Sequence, residues 1–218
     1  MEETRETPGM EITILAFEGM TPLDAVGPFE VLGRLPGAHV RVTAPEPGPQ
    51  RTSGGSLALV ADYALTEVSR TDILLIPGGP GADALAEDVR ITGLVARLHE
   101  TTRLTASVCT GALILGAAGV LKGLRAVTHW RAMDALAGYG AQAVNERVVW
   151  DGKVVSCAGV SAGIDMALQL AAELSDEETA RAIQLAIEYA PQPPFDGGRM
   201  EGASGRELGL ARHGLNQP

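Results

Sequence analysis

Cysteine, aromatic residues and positive charge are all scarce in this chain. Of its 218 residues only two are cysteines, Cys109 and Cys157. Two thiols are too few for a disulfide framework, and neither sits in a CxxC pair or a Cys/His cluster with zinc-ligand spacing, so no structural metal is indicated. Phe, Trp and Tyr make up 4%, which leaves the core to Ala, Val, Leu and Ile, the residues that fill the space between helices and a parallel sheet. Bases number 17 against 27 acids, a formal net charge of −10, and that balance argues against a broad nucleic-acid-binding face. No apolar run reaches the roughly 18 residues of a membrane span. Met1 to Met10 carries Glu2, Glu3, Arg5 and Glu6 where a secretory signal has a basic and then an apolar stretch. The expectation is a cytoplasmic protein with a disordered tail over residues 1–10 and no nucleic-acid or membrane partner.

What the chain does have is 45% hydrophobic residues, enough for a full core. Short β-rich runs alternate with longer small-residue runs, the pattern of a parallel sheet covered on both faces. The strands are expected at Ile12–Phe17, Val40–Ala44, Ile73–Ile76, Leu104–Val108 and Val154–Cys157, and RTSGGSLALVADY, residues 51–63, reads as a hairpin around its Gly-Gly pair. Helices are expected at Gly27–Leu35, Asp88–Thr101, Thr110–Val120, Arg131–Ala137, Ala162–Leu174 and Asp176–Tyr189, the last with Asp176 as N-cap. With no repeat and no linker, one domain over 11–198 is the economical reading. Proline, glycine and weak periodicity after Pro191 predict an extended arm and a flexible tail over 199–218.

Three segments have the composition of chemistry. Leu104 to Ala112, LTASVCTGA, runs an apolar strand into a cysteine and then a small-residue helix. Peptide dipoles at a helix N-terminus favour thiolate, so the sequence predicts a lowered pKa for Cys109. Gly111 allows the close packing of a nucleophile elbow, although Ser107 stands where the hydrolase motif has its first glycine. A buried cysteine packing as a small hydrophobe is equally open. In ILLIPGGPG, residues 73–81, the glycines let backbone N–H groups approach a reacting atom, as an ordinary strand-to-helix turn also would. In TPLDAVGPFE, residues 21–30, Asp24 follows the first strand, where parallel sheets collect ligands. Thr21 and Asp24 also match a capping box, though Gly27-Pro28 would break a helix begun at Pro22. His129 lies at a strand end in AVTHW, with a structural role beside Trp130 as the alternative to a catalytic one. Cys157 reads as packing.

Together, PLDAVGPFEVL, IPGGPG, SVCTGALILGAAGVLKG, AVTHW, NERVVWDGKVVSCAGVSAGIDMALQLAAEL and IEYAPQPPF resemble the PfpI superfamily of class I glutamine-amidotransferase-like folds, and within it the isocyanide hydratases. The resemblance runs from Met10 to about Gly198 and implies a flavodoxin-like α/β three-layer sandwich with a mostly parallel central sheet and a nucleophile elbow at Cys109. It makes Cys109, Asp24 and Thr110 the catalytic residues, Cys109 the nucleophile, Asp24 its acidic partner and Thr110 the residue that stands where peptidase- and glyoxalase-like relatives often carry histidine. Gly78 and Gly79 match the glycine turn, and Gly159 and Val160 the loop facing the elbow, all as substrate or oxyanion donors. Ala158 replaces a glycine common in that loop. The implied reaction is hydration of a small apolar isocyanide by water through a Cys109 thioimidate assisted by Asp24, with no metal or other cofactor, in a homodimer; a carboxylate beside a thiolate would raise the pKa of both, so the pair is expected to hold one proton between them. Alternatives are a glyoxalase, deglycase or peptidase, which Thr110 counts against, and a cysteine redox sensor with an exposed, low-pKa thiol.

Overall fold

The computed structural model describes residues 9–213. Residues 1–8 of the expected N-terminal tail and 214–218 of the expected C-terminal tail lie outside the described residues. Met10 opens β1 (Met10–Leu15), pairing with Ala38 and donating its N–H to the Gly37 carbonyl at 2.8 Å, so the last residue of the tail assigned to 1–10 is already part of the sheet. There follow α1 (Pro22–Leu32), β2 (Ala38–Ala44), β3 (Gly48–Arg51), β4 (Ala58–Ala61), β5 (Tyr63–Ala64), β6 (Ile73–Ile76), α2 (Ala82–Glu87), α3 (Val89–Thr101), β7 (Leu104–Val108), α4 (Gly111–Ala117) and β8 (Arg125–Ala126). The chain continues through α5 (Met133–Gly138), β9 (Gln142–Ala143), β10 (Val148–Asp151), β11 (Val154–Cys157), α6 (Ala162–Leu174), α7 (Glu177–Ala186) and α8 (Gly205–His213).

The described residues form a seven-stranded sheet in the order β10-β11-β7-β6-β1-β2-β5. Every neighbouring pair is parallel except β10 with β11. β6 and β7 are buried along their whole length, as strands covered on both faces must be. Alternation sends Thr105 and Val108 to opposite faces of the sheet. The Thr105 hydroxyl meets His99 Nδ1 of α3 at 2.9 Å, whereas the Val108 side chain lies against Gly163 of α6. Helices therefore cover both faces: α2, α3 and α4 pack together on one, α1 and α6 on the other. This is the three-layer α/β arrangement expected.

The five expected strands fall where the sequence places them, to within two residues, and β3 and β4 make the expected hairpin, with Gly55 at φ +72° in its connection, whereas β5, β8, β9 and β10 were not expected. α2 was not expected, and of the six expected helices the first departs most. α1 begins at Pro22, not Gly27, and runs through Gly27-Pro28. A Cβ on Gly27 would come 3.1 Å from Ile164 Cγ1, and Pro28 Cγ lies 3.3 Å from where a Gly163 Cβ would be. The pair that reads as a breaker is thus the crossing point of α1 and α6, whose packing offsets the roughly 3 kcal/mol that an interior proline costs.

The chain divides into two compact units after Ile187. Within the second, Gly205–His213 is helical although it falls in the segment read as a flexible tail. Ser204 and Glu207 explain it as a capping box: the Glu207 N–H donates to Ser204 Oγ at 3.2 Å and the Ser204 N–H to the Glu207 carboxylate at 2.7 Å.

Candidate active site

Chain order reverses between β1 and β6, since β1 leads through α1 to β2 on one side while β6 lies on the other. A crevice beyond the carboxyl ends of the strands at such a point is where open α/β sheets bind ligands. The segments after β1, β6, β7 and β11 meet there, and they carry Asp24, Gly78-Gly79, Cys109-Thr110 and Gly159-Val160.

Cys109 occupies the turn from β7 into α4 at φ +55°, a conformation that costs a non-glycine residue about 1–2 kcal/mol unless its surroundings hold it. Its N–H is shared between the carbonyls of Cys157 and Ala158, each at 3.1 Å. Its carbonyl accepts the Thr128 hydroxyl at 2.8 Å. Gly111 completes the elbow because a Cβ there would lie 2.1 Å from the Ile76 carbonyl oxygen. The helix start is tied to the glycine turn through Thr110, whose hydroxyl accepts the Gly79 N–H at 2.8 Å and donates to the Gly79 carbonyl at 3.2 Å.

Asp24 is fully buried. Its Oδ2 accepts the Gly78 N–H at 3.0 Å, and its Oδ1 is buried without a formed hydrogen bond. The Cys109 thiol lies beside this carboxyl and favours its charged form. Burial outweighs both interactions and lifts the Asp24 pKa to about 6. The capping-box alternative fails, since Thr21 makes no side-chain cap and Asp24 reaches across to β6 instead.

The thiol departs from the lowered pKa expected at a helix N-terminus. Cys109 is 5% exposed, and burial, then the charge of Asp24, push its pKa up to about 12. The N–H groups of Thr110 and Val160 and the Thr110 hydroxyl act the other way and favour thiolate, but the helix-terminus effect, typically about 0.3–1 kcal/mol, is smaller than the cost of burying a charge. The two groups therefore share one proton over the neutral range, resting on sulfur, with Asp24 ionised above its own pKa. A sensor with an exposed, low-pKa thiol has neither property here.

Gly78 and Gly79, expected as donors to a reacting atom, spend their N–H groups on Asp24 and Thr110. Their lack of side chains serves close packing: a Cβ on Gly78 would sit 2.5 Å from Thr110 N and one on Gly79 2.4 Å from Thr21 N. Val160 holds φ +33°, and its N–H favours charge on the Cys109 sulfur. Gly159 leaves room for His129, whose Cδ2 lies 2.8 Å from where a Cβ would be. His129 accepts the Arg131 N–H on Nδ1 at 3.3 Å and lies 5.5 Å from the Trp130 ring; burial, then Arg131, lower its pKa. That is the structural role. Cys157 is fully buried and its pKa is raised by burial, then by Asp24 and Cys109. Sequence reasoning missed Thr128 at the elbow; a threonine directly before His129 at a strand end was the available signal. Among the described residues no group of three or more His, Cys, Asp or Glu side chains is arranged to hold a metal ion, and no helix is long and apolar enough to cross a membrane.

The DJ-1/PfpI family model matches residues 10–173. The isonitrile hydratase of Pseudomonas putida is 40% identical over 203 residues, covering 93% of this chain and 89% of that protein. Protein DJ-1 homolog A of Arabidopsis thaliana is 31% identical over 179 residues, which are 80% of this chain and 45% of that protein. The crystal structure of a THiJ/PfpI family protein from Pseudomonas syringae is similar with a TM-score of 0.90 at 37% identity, covering 97% of this chain and 90% of that one.

Proposed function

The chain belongs to the DJ-1/PfpI family, and on that premise we propose that it is an isocyanide hydratase, a lyase that adds water to R–N≡C to give the N-substituted formamide. Isonitrile and isocyanide name the same functional group, and the observation that carries the reading is 40% identity to an isonitrile hydratase across 93% of this chain.

The terminal carbon of an isocyanide accepts a soft nucleophile if a proton reaches it as the bond forms. Cys109 supplies the nucleophile. Because the shared proton rests on sulfur, Asp24 takes it as Sγ attacks and delivers it to the carbon, giving the thioimidate R–N=CH–S–Cys109. Water then adds to that carbon, one of its protons passing to nitrogen. The tetrahedral R–NH–CH(OH)–S–Cys109 collapses to R–NH–CHO, and the hydroxyl proton returns through Asp24 to the departing sulfur. Atoms and charges balance with water as the second reactant. The N–H groups of Thr110 and Val160 stabilise sulfur while it carries charge.

A Cys-His acyl-transfer reading, as for a peptidase, needs an imidazole beside the nucleophile, and Thr110 is there instead, bonded to Gly79. The family resemblance also carries a homodimer, which sedimentation equilibrium tests. A cytoplasmic setting would keep Cys109 and Cys157 reduced.

The test is to incubate the purified protein with cyclohexyl isocyanide and an aryl isocyanide and to follow formamide by mass. Product is expected with the wild type and none with Cys109→Ala or Cys109→Ser. Formation no faster than in the Cys109→Ala control overturns the assignment.

A further inference from the structure

The peptide bond between Cys109 and Thr110 is a rigid plate with the Cys109 carbonyl at one edge and the Thr110 N–H at the other. That N–H is one of the two backbone groups that favour charge on the Cys109 sulfur. Its opposite edge is held from outside the elbow: Thr128, 1% exposed, donates its hydroxyl to the Cys109 carbonyl at 2.8 Å, while the Ala112 N–H reaches the same oxygen only at 3.4 Å. A carbonyl that accepts a strong hydrogen bond polarises the N–H of its own peptide, and fixing the oxygen fixes where that N–H points.

The segment carrying Thr128 is itself anchored. The Val127 N–H donates to Ser156 Oγ of β11 at 2.9 Å. The next residue, His129, fills the space above Gly159, directly before Val160, whose N–H is the second of those groups. Cys109 and Val160 both hold positive φ, and such conformations persist only where their surroundings over-determine them. One short segment thus bonds the strained Cys109 and packs on Gly159, the residue before the strained Val160.

We propose that Thr128 is a positioning residue for the nucleophile: its hydroxyl holds the Cys109 carbonyl, and with it the Cys109–Thr110 peptide and the positive-φ backbone of the elbow, while His129 fills the space above Gly159 in the facing loop. The inference rests on Cys109 being the nucleophile. The titratable groups facing that sulfur are Asp24 from α1 and Cys157 from β11, and neither is touched by a change at Thr128.

Thr128→Val deletes the hydroxyl at nearly constant shape, and Thr128→Ser keeps it. The alkylation rate of Cys109 by iodoacetamide, measured between pH 6 and 9 against a Cys109→Ala background, reports the ease of forming thiolate without any isocyanide present. Thr128→Val is expected to slow alkylation about 3- to 10-fold at each pH, the worth of one hydrogen bond, to lower kcat by a similar factor and to leave KM unchanged. Thr128→Ser is expected to restore both. Thr128→Ala supplies a second hydroxyl deletion if the valine variant does not fold. Wild-type alkylation in a folded hydroxyl deletion overturns the proposal, as does failure of a folded Thr128→Ser to restore the rate, which would assign Thr128 to packing. If the wild type makes no formamide yet the alkylation deficit appears, the hydratase reading falls and the positioning role stands.

Discussion

Replacing Asp24 by asparagine should make the protein more stable and less active, and the gain should depend on pH. An aspartate whose folded pKa is raised from 3.8 to about 6 binds a proton in the folded state that the unfolded state has released. Stability therefore falls as pH rises through the window between those values, and the penalty is complete above it. At about 1.4 kcal/mol per pKa unit the penalty is about 3 kcal/mol. Asparagine keeps an acceptor for the Gly78 N–H and presents an uncharged amide to the sulfur. Urea denaturation followed by Trp130 and Trp150 fluorescence should thus show Asp24→Asn matching the wild type near pH 4 and exceeding it by about 3 kcal/mol at pH 7.5. In Tm this is a rise of about 6–12 °C. Turnover should drop by orders of magnitude, because the amide cannot carry the proton. A stability difference that does not change with pH, or an asparagine variant less stable than the wild type at pH 7.5, refutes the reasoning.

The kcat/KM for isocyanide should decline as pH falls through about 6, where Asp24 gains its proton, and a flat profile between pH 5 and 8 would remove Asp24 as proton carrier. Asp24→Asn should also alkylate faster at Cys109 near pH 8, because the carboxylate charge that raises the thiol pKa is gone; slower alkylation would show that charge not to matter. Gly78→Ala forces a Cβ to within 2.5 Å of Thr110 N, which should cost about 1–3 kcal/mol in urea denaturation and most of the turnover, since the donor to Asp24 must shift; normal kinetics would contradict the close approach. Ser156→Ala leaves the buried Val127 N–H without its acceptor and should cost about 1–3 kcal/mol, against no change if water substitutes.

The strands were legible because the local pattern and the tertiary requirement agree. Ile73–Ile76 and Leu104–Val108 are apolar or small throughout and buried throughout, so a continuous run of such residues could only be a strand covered on both faces. Glycine and proline were read less well. Gly27-Pro28 looks like a breaker from neighbours alone, but its meaning lies in α6, at Ile164 and Gly163, far away in sequence. Gly78 and Gly79 suggested free donors for the same reason: the partners that occupy their N–H groups, Asp24 and Thr110, come from other segments. The helix at Gly205–His213 was different. Its Ser204-to-Glu207 capping signal was local and present, and was outweighed by the prolines before it.

The thiol carries two expectations of opposite sign, a pKa lowered by the helix terminus and one raised by a carboxylate partner, and only the folded chain shows which is larger. From sequence, a cysteine at a helix N-terminus should ionise easily, since dipole and amides are local and favourable. In the folded chain the same residue is buried against a carboxylate, and the two effects of opposite sign are unequal. A resting thiolate would sit beside a charged Asp24 with little solvent, so the pair keeps one proton between them. In the proposed reaction the nucleophile is thus made at the moment of attack, when the proton leaves sulfur for the carboxylate and goes on to the carbon. An isocyanide suits such a pair because its carbon accepts both the sulfur and the proton. A substrate that needed preformed thiolate would find little at neutral pH, which is why the Thr110 and Val160 amides matter chiefly as the charge develops. Burial that raises both pKa values is then the condition for delivering sulfur and proton to one atom.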